Sequence, residues 1–182
     1  MITKVISGCQ TGADEAGLAA AYDSGIETGG YIPKGHKTLK GPRPDLTRKY
    51  KLTEHSSSNY KERTWDNIQA SDGTLRFANN FGSPGERCTF NGIKNYDRPY
   101  LDLKVTSRIF GLYDIKDGRE SPFLYDAGAI GIIHDWIRIN DIRVLNIAGN
   151  AEETHPGIYK VVYDFLLKVF EEYKNTKQVI IT

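Results

Sequence analysis

Residues 7–14 read Ser7-Gly8-Cys9-Gln10-Thr11-Gly12-Ala13-Asp14, between a short apolar run and an alanine-rich segment. A strand, a glycine-bearing turn and a helix start in this order are typical of α/β proteins, where the unpaired N–H groups of the helix N-terminus bind anions. Glycine at positions 8 and 12 permits positive φ and a close approach of backbone to ligand. The stretch therefore predicts an anion-binding loop, with a turn whose glycines serve only packing as the alternative.

The composition is that of a folded protein without a global preference for a charged partner. Hydrophobic residues make up 39% and charged residues 26% of the 182 positions, and the formal net charge is +1. These values exclude a disordered chain, and the small net charge disfavours nucleic-acid binding. No apolar run approaches the roughly 20 residues of a membrane span. The N-terminus has no signal-peptide pattern, so we expect a cytoplasmic protein that does not engage membranes.

Cysteine and histidine positions give no metal-binding pattern. Cys9 and Cys88 lie far apart in glycine-bearing loops, and the four histidines are scattered. We therefore expect neither a disulfide scaffold nor a structural metal.

Apolar periodicity and the positions of glycine and proline predict alternating strands and helices. Strands are predicted at 2–6, 28–32, 50–53, 72–78, 99–105 and 144–148, and helices at 13–24, from a cap at 56–58 to about 70, toward 95, at 127–140 and at 158–170. The segment 33–44 holds three prolines and two glycines and is predicted as a loop. The alternation predicts an α/β fold, with a mostly parallel sheet, helices on both faces and a single domain over residues 1–182.

Two further loops resemble the first in position. Residues 79–89 follow one predicted strand, and Gly149-Asn150 follows another. The carboxyl ends of parallel strands meet at one edge of the sheet, where α/β proteins bind ligands. We therefore expect these loops to lie side by side around a ligand.

Polar side chains near these loops are candidates for ligand contact. Tyr60, Arg63, Thr64 and Asn67 share one face of a predicted helix, which is either a solvated face or one that addresses a substrate. Lys34 and Arg43 belong to the basic 33–44 loop, which is either solvated or a ligand clamp.

Two segments have less definite patterns. Residues from Thr106 to about Asp126 suggest an excursion, with a hairpin turned at Asp117-Gly118, that acts as a lid or a subunit contact. Val179-Ile180-Ile181 suggests an edge strand or a contact with a second subunit, with a disordered tail as the alternative.

Five ordered motifs resemble the family known as putative molybdenum carriers, the circularly permuted YpsA-related branch of the SLOG superfamily. They are residues 7–14, residues 30–35, Tyr60-Lys61-Glu62-Arg63-Thr64 with Asn67, residues 71–74, and residues 145–149 with Pro156-Gly157-Ile158-Tyr159. The resemblance implies a Rossmann-like, SLOG-type fold that binds a nucleotide or nucleotide-derived ligand at its glycine loops. It covers nearly the whole chain except the excursion.

The chain departs from the family pattern in three loops. The family usually has glycine at position 9, Ser-Gly-Gly-Thr-x-x-Thr where this chain has residues 83–89, and Pro-Arg after Gly149. Pro84 removes a backbone donor, and Glu86 brings negative charge near a phosphate position. These departures suggest a different ligand or the loss of a catalytic step.

The sequence favours a binder without turnover, in which three loops hold a phosphate-bearing, nucleotide-derived small molecule for sensing, carriage or sequestration. The predicted ligand-binding residues are Gly8, Cys9, Gln10, Thr11, Gly12, Asp14, Lys34, Arg43, Tyr60, Arg63, Asn67, Ser83, Gly85, Arg87, Thr89, Gly149 and Asn150. One alternative is hydrolysis of a nucleoside monophosphate at its N-glycosidic bond, with Glu86, Asp72 or Asp14 as the carboxylate. A second is carriage of molybdate, a tetrahedral oxyanion, with Cys9 as a thiolate ligand. The resemblance also implies a homo-oligomer.

Overall fold

The computed structural model describes residues 2–106, 109–112 and 126–180, with the side chains of 109–112, 126–127 and 172–180 excepted. Strands in these ranges are Lys4–Ile6 (β1), Glu27–Gly29 (β2), Tyr31–Ile32 (β3), Lys37–Thr38 (β4), Gly41–Pro42 (β5), Thr53–Glu54 (β6), Gly73–Ala78 (β7), Tyr100–Thr106 (β8), Ile109–Leu112 (β9) and Val144–Gly149 (β10). Helices are Ala13–Asp23 (α1), Pro44–Lys49 (α2), Tyr60–Gln69 (α3), Pro84–Asn95 (α4), Asp126–Ile139 (α5) and Ile158–Ile180 (α6). None of these helices is both long enough and apolar enough to cross a membrane.

The central sheet has the strand order β2-β1-β10-β7-β8-β9, in which the first five strands are parallel and β9 is antiparallel to β8. The predicted α/β class with a mostly parallel sheet is confirmed. Strands β1, β10 and β7 are adjacent, so the connections that follow them meet at one edge.

One face of the sheet carries the main hydrophobic core. Leu75, Phe77 and Ile147 point into it and are fully buried. They pack against α1, α5 and α6, as in the edge-to-face contact between Phe77 and Phe165. The alternate residues of the same strands point to the opposite face.

The opposite face is covered by α3 and α4 and holds buried polar groups. Arg76 on β7 and Asp102 on β8 are ion-paired there, and Asn146 on β10 donates to Thr74 at 3.2 Å. A polar layer between a sheet and its helices is unusual, because each group needs a partner to offset its loss of water.

Several predicted elements have different bounds in the structure. The predicted strand 28–32 divides at Gly30, where φ is +116°, so β2 joins the central sheet and β3 pairs with β6 instead. The predicted 33–44 loop contains the β4–β5 hairpin, and α2 begins at Pro44, a residue favoured in a first helical turn. The predicted strand 50–53 is reduced to Thr53–Glu54, because Tyr50 ends α2.

Two helix starts were also predicted wrongly. Asn59, instead of Ser56–Ser58, caps α3 by accepting from the Lys61 N–H. Helix α4 begins at Pro84 with Ser83 as its cap, so residues 85–89 lie in its first turns and not in a loop.

The two indefinite segments are described only in part. Residues 109–112 of the excursion form β9, whereas the predicted turn at Asp117-Gly118 lies outside the described residues. Val179 and Ile180 belong to α6, so the predicted edge strand is wrong at these positions, and Ile181 lies outside the described residues.

Candidate functional site

A cavity of about 490 Å³ lies at the carboxyl edge of the sheet. Its walls are the loops after β1, β7 and β10, the first turns of α3 and α4, and the tip of the β4–β5 hairpin. The lining residues are Gly8, Gln10, Asp14, Leu39, Tyr60, Arg63, Thr64, Asn67, Asn80, Ser83, Pro84, Gly85, Glu86, Cys88, Thr89, Asn146, Ile147, Ala148, Gly149, Asn150, Ala151, Thr154 and His155. Its volume falls in the range of cofactor and small-molecule sites.

Arg63 on α3 is the cationic group nearest the first glycine loop. Arg63 is 8% exposed, and its Nη1 lies 3.3 Å from Oδ2 of Asp14. Its buried Nε has no hydrogen-bond partner among the described residues. A β-carbon at Gly8 would lie 1.4 Å from Nη1, so glycine is required for the guanidinium to lie against the loop. The arrangement leaves a buried cation with unused donors at the cavity wall.

Asp14 lies in the first turn of α1 and is buried beside Arg63. Burial raises the pKa of its carboxyl, while the Arg63 guanidinium and the N–H groups of Gln10 and Gly149 act in the opposite direction. Its Oδ2 accepts from the Gln10 N–H at 3.3 Å. The predicted backbone anion site is therefore partly filled by the chain's own carboxylate.

The other donors of that predicted site are also engaged within the chain. The N–H of Ala13 donates to the carbonyl of Asn150 at 3.1 Å, and the N–H of Glu15 donates to that of Gln10 at 3.0 Å. A ligand anion is consequently better served by the Arg63 side chain than by the start of α1.

Glu86 provides the second buried acid of the cavity. Ser83 and Glu86 have the spacing of a capping box, and Oγ of Ser83 accepts from the Glu86 N–H. The Glu86 carboxyl, however, lies 3.5 Å from Nη1 of Arg76 and 3.4 Å from Nδ2 of Asn150. Burial, opposed by Arg76, raises the pKa of Glu86 to about 8.

Arg76 is fully buried and is paired mainly with Asp102. Its Nε and Nη2 donate to the two carboxylate oxygens of Asp102 at 2.7 and 2.5 Å, in a bidentate pair. The rings of Phe81, Phe90 and Tyr100 surround the guanidinium, with centroids at 5.0, 5.5 and 5.8 Å from Cζ. Because the Arg76 guanidinium is paired mainly with Asp102, it stabilises the ionised form of Glu86 less than an unshared guanidinium would.

Three predicted ligand residues hold the walls together through their amides. The Asn67 side chain bonds both the N–H and the carbonyl of Tyr31, and Oδ1 of Asn150 accepts from the N–H groups of Asn79 and Asn80. Oε1 of Gln10 accepts from Thr11 and from Leu39 at the hairpin tip. These amides line the cavity, but most of their hydrogen bonds are already made within the chain.

The structure brings most of the predicted site residues to the cavity. Those that line it are Gly8, Gln10, Asp14, Tyr60, Arg63, Asn67, Ser83, Gly85, Glu86, Thr89, Gly149 and Asn150. The remaining predicted residues lie elsewhere.

Three of these residues pack behind the first loop. Cys9 is fully buried in a small cluster with Leu18 and Ile32, and burial raises the pKa of its thiol. Oγ1 of Thr11 donates to Glu153. A β-carbon at Gly12 would lie 2.4 Å from the carbonyl oxygen of Asn150, so this glycine permits two loops to pack.

Four charged candidates are also absent from the cavity lining. Lys34 is exposed, and Arg43 pairs with Asp45 at 2.8 Å. Nη1 of Arg87 donates to the carbonyl of Gly82 at 2.5 Å. Asp72 precedes β7, at the edge of the sheet away from the cavity, where its carboxylate accepts from the N–H groups of Arg143 and Val144. Asp72 therefore does not line this cavity.

Sequence reasoning missed several lining residues. Asn146 lies within the apolar run of β10, and only its polar side chain in that run indicates a function. Leu39 and His155 come from a hairpin and a loop that converge only in three dimensions.

Comparisons with known proteins identify the family and support the fold. Residues 5–170 match the model of the circularly permutated YpsA SLOG family. The crystal structure of a protein from Syntrophus aciditrophicus SB, named putative molybdenum carrier protein, has a TM-score of 0.76 and 34% sequence identity, and the match covers 93% of this chain and 94% of that chain. Among curated proteins, none matches significantly. The chain therefore belongs to the circularly permutated YpsA SLOG family.

Proposed function

We propose that the cavity binds a nucleotide-derived, phosphate-bearing small molecule, and that the protein holds this molecule without turnover as a sensor, a carrier or a sequestering protein. The observation that carries the proposal is Arg63, a guanidinium nine-tenths buried at the cavity wall, whose Nε has no partner within the described part of the chain. A buried arginine with unused donors is suited to phosphate, because its planar fork matches two phosphate oxygens.

The rest of the cavity supplies the contacts that a nucleotide needs beyond its phosphate. Tyr60 presents an aromatic ring, and Cζ of Arg63 lies 5.8 Å from the centroid of that ring. Such a ring is suited to stacking on a base. Asp14 and Asn146 offer polar groups for ribose hydroxyls from the neighbouring loops. Base, sugar and phosphate contacts are thus available within one cavity.

The first test is mass spectrometry of small molecules released by denaturing the purified protein. An intact nucleotide-derived compound at near one per chain supports a tight binder and names the ligand. If no such compound is released, and if added inorganic phosphate and nucleoside monophosphates do not bind by calorimetry, the proposal is wrong.

The role of Arg63 is tested by Arg63→Ala and Arg63→Lys. Loss of a charged hydrogen-bond donor should weaken a phosphate-bearing ligand by about 10- to 100-fold, and lysine should restore only part of the affinity because it lacks the fork. Arg98→Ala is a matched control, since Arg98 also has a buried Nε without a partner among the residues that the structure describes, but lines a different cavity. Equal affinity in wild type and Arg63→Ala would remove Arg63 from the site.

Hydrolysis of a nucleotide at its N-glycosidic bond is a second candidate function, favoured by one observation. Asp14 and Glu86 place two buried acids in the same cavity, and both have raised pKa values. Such a pair is suited to general acid–base chemistry. Release of free base from added nucleoside monophosphates, abolished by Glu86→Gln, would favour this function over binding alone.

Carriage of molybdate is a third candidate, favoured by the name of the related protein from Syntrophus aciditrophicus SB. Arg63 would bind a tetrahedral oxyanion by the same donors as phosphate. Cys9 is not placed to contribute a thiolate, because its side chain is fully buried outside the cavity. Molybdenum found by elemental analysis, without any nucleotide, would support this function and overturn the first.

A further inference from the structure

We propose that Glu86 enters the cavity as a neutral carboxylic acid and donates a hydrogen bond to an uncharged acceptor of the ligand, such as a base carbonyl, a ring nitrogen or a sugar hydroxyl. The inference rests on the proposed function and adds a second recognition group to the same cavity.

The geometry leaves the Glu86 carboxyl without a dedicated cation. The residue is 3% exposed, and its nearest cation is Nη1 of Arg76 at 3.5 Å. The other two guanidinium nitrogens of Arg76 make the shorter bonds to Asp102, at 2.7 and 2.5 Å. A buried carboxyl whose cation neutralises another acid favours the protonated form.

The carboxyl is also directed away from its own helix. In a full capping box, the glutamate would accept from the N–H of the cap residue, but the Ser83 N–H donates to the carbonyl of Asn80 at 3.5 Å. The Glu86 carboxyl instead lies beside Nδ2 of Asn150, and Glu86 lines the cavity. A protonated carboxyl at that wall has one O–H to donate.

The charged surroundings of Glu86 come from four neighbouring elements. They are Arg76 on β7, Asp102 on β8, Asp14 on α1 and Arg63 on α3, with Cys88 and His155 also at the cavity wall. Arg76 pairs with Asp102 and Arg63 pairs with Asp14, so the opposite charges cancel within each pair. An ionised Glu86 would add a third carboxylate to Asp102 and Asp14, without a cation to compensate it. It would repel any anionic group of the ligand that lay beside it.

The first experiment measures the protonation of Glu86 in the ligand-free protein, by carbon-13 NMR titration of the side-chain carboxyls with Glu86→Gln for assignment. We expect a midpoint near 8, against an ordinary value of 4.5. Asp102→Asn should lower this midpoint by about one pH unit or more, because Arg76 is then available to Glu86. Asp141→Asn, at an exposed pair with Arg143, is the control and should leave it unchanged. A wild-type midpoint near the ordinary value overturns the inference.

The second experiment compares adenosine monophosphate with inorganic phosphate by calorimetry between pH 6 and pH 9.5. At pH 6, where Glu86 is protonated, Glu86→Ala should weaken the nucleotide by about tenfold and leave inorganic phosphate unchanged, whereas Glu86→Gln should retain affinity because its amide also donates. Wild-type affinity for the nucleotide should fall relative to Glu86→Gln as Glu86 ionises. Parallel pH profiles would overturn the inference, even if both probes bind. If neither probe binds wild type, the proposed function fails, and the NMR midpoint still decides the state of Glu86.

Discussion

Glu86 shows how one residue can bring a functional group at a cost in stability. Its helix position and its Ser83 cap are ordinary, yet its carboxyl is buried beside an arginine that is committed to Asp102. Burial without full neutralisation disfavours the charged form. The sequence identified Glu86 as a catalytic candidate. Its protonation state, however, depends on Arg76 and Asp102, which lie on the strands β7 and β8 and not on α4.

The raised pKa of Glu86 predicts how stability varies with pH. The native protein retains a proton on Glu86 up to pH about 8, whereas the unfolded chain loses it near 4.5. Between these values the native state binds more protons, so this contribution to stability is complete below the lower value and falls by about 1.4 kcal/mol per pH unit as pH rises.

Urea unfolding at pH 5 to 8 checks this prediction. Glu86→Gln should have the flatter profile and should gain stability relative to wild type as pH rises. A wild-type profile parallel to that of Glu86→Gln would mean that Glu86 titrates normally. Asp14, whose pKa is also raised by burial, is present in both proteins and cancels in the difference.

The two glycines of the first loop should respond differently to substitution by alanine. At Gly8 the new β-carbon meets the end of a flexible side chain, Arg63, whereas at Gly12 it meets backbone atoms of residues 150–152 at 2.4 to 2.8 Å, with φ at +87°. We expect Gly8→Ala to weaken phosphate binding by displacing Arg63, with a modest loss of stability. Gly12→Ala should destabilise the fold by several kcal/mol, through strain and backbone clashes.

Thermal unfolding and calorimetry with inorganic phosphate separate the two effects. Gly25→Ala is a control for positive φ without a clash, because φ there is +70° and, apart from its chain neighbours, no described residue has an atom within 4 Å of the new β-carbon. Comparable losses of stability in all three variants would show that packing of the first loop against 150–152 contributes little.

At the scale of elements, the sequence predicted what a local pattern encodes. The apolar run of β10 and the helical stripe of α6 are long enough to be identified without partners. The bend at Gly30 depends on Asn67, 37 residues away, which bonds both backbone groups of Tyr31. A boundary that is set by such a distant side chain has no local signal.

The same limit applies to the cavity. The loops after β1, β7 and β10 were expected together, because parallel strands end at one edge. The 33–44 loop was predicted as either solvated or a ligand clamp, but the hairpin within it was not predicted. The position of the hairpin tip depends on Oε1 of Gln10 accepting from the Leu39 N–H at 2.9 Å. Likewise, the role of Asn150 in joining two loops follows from its bonds to Asn79 and Asn80 and not from its sequence context.

For the molecule as a whole, the two faces of the sheet have different physical roles. One face packs apolar side chains against α1, α5 and α6 and provides stability through burial. The other face holds Arg76, Asp102 and Asn146 between the strands and α3 or α4. At the carboxyl ends of the strands this face opens into the cavity. The polar face costs desolvation energy that apolar packing must offset, which is consistent with a function for its charged groups.

This division predicts an asymmetry in the response to substitution at the buried pair. Asp102→Ala leaves the Arg76 charge buried, with Glu86 as the one remaining carboxylate partner among the described residues, so we expect a loss of about 3–5 kcal/mol in the free energy of unfolding. The double variant Arg76→Met with Asp102→Leu removes both charges and fills the space, and it should be several kcal/mol more stable than Asp102→Ala. Asp135→Ala, at an exposed pair in which both side chains are more than 60% exposed, should change stability by less than about 1 kcal/mol. Urea unfolding measures all three.

If the double variant recovers stability but no longer binds phosphate-bearing ligands at wild-type affinity, the buried pair contributes to the site and not to the fold. A double variant less stable than Asp102→Ala would instead show that the ion pair stabilises the sheet.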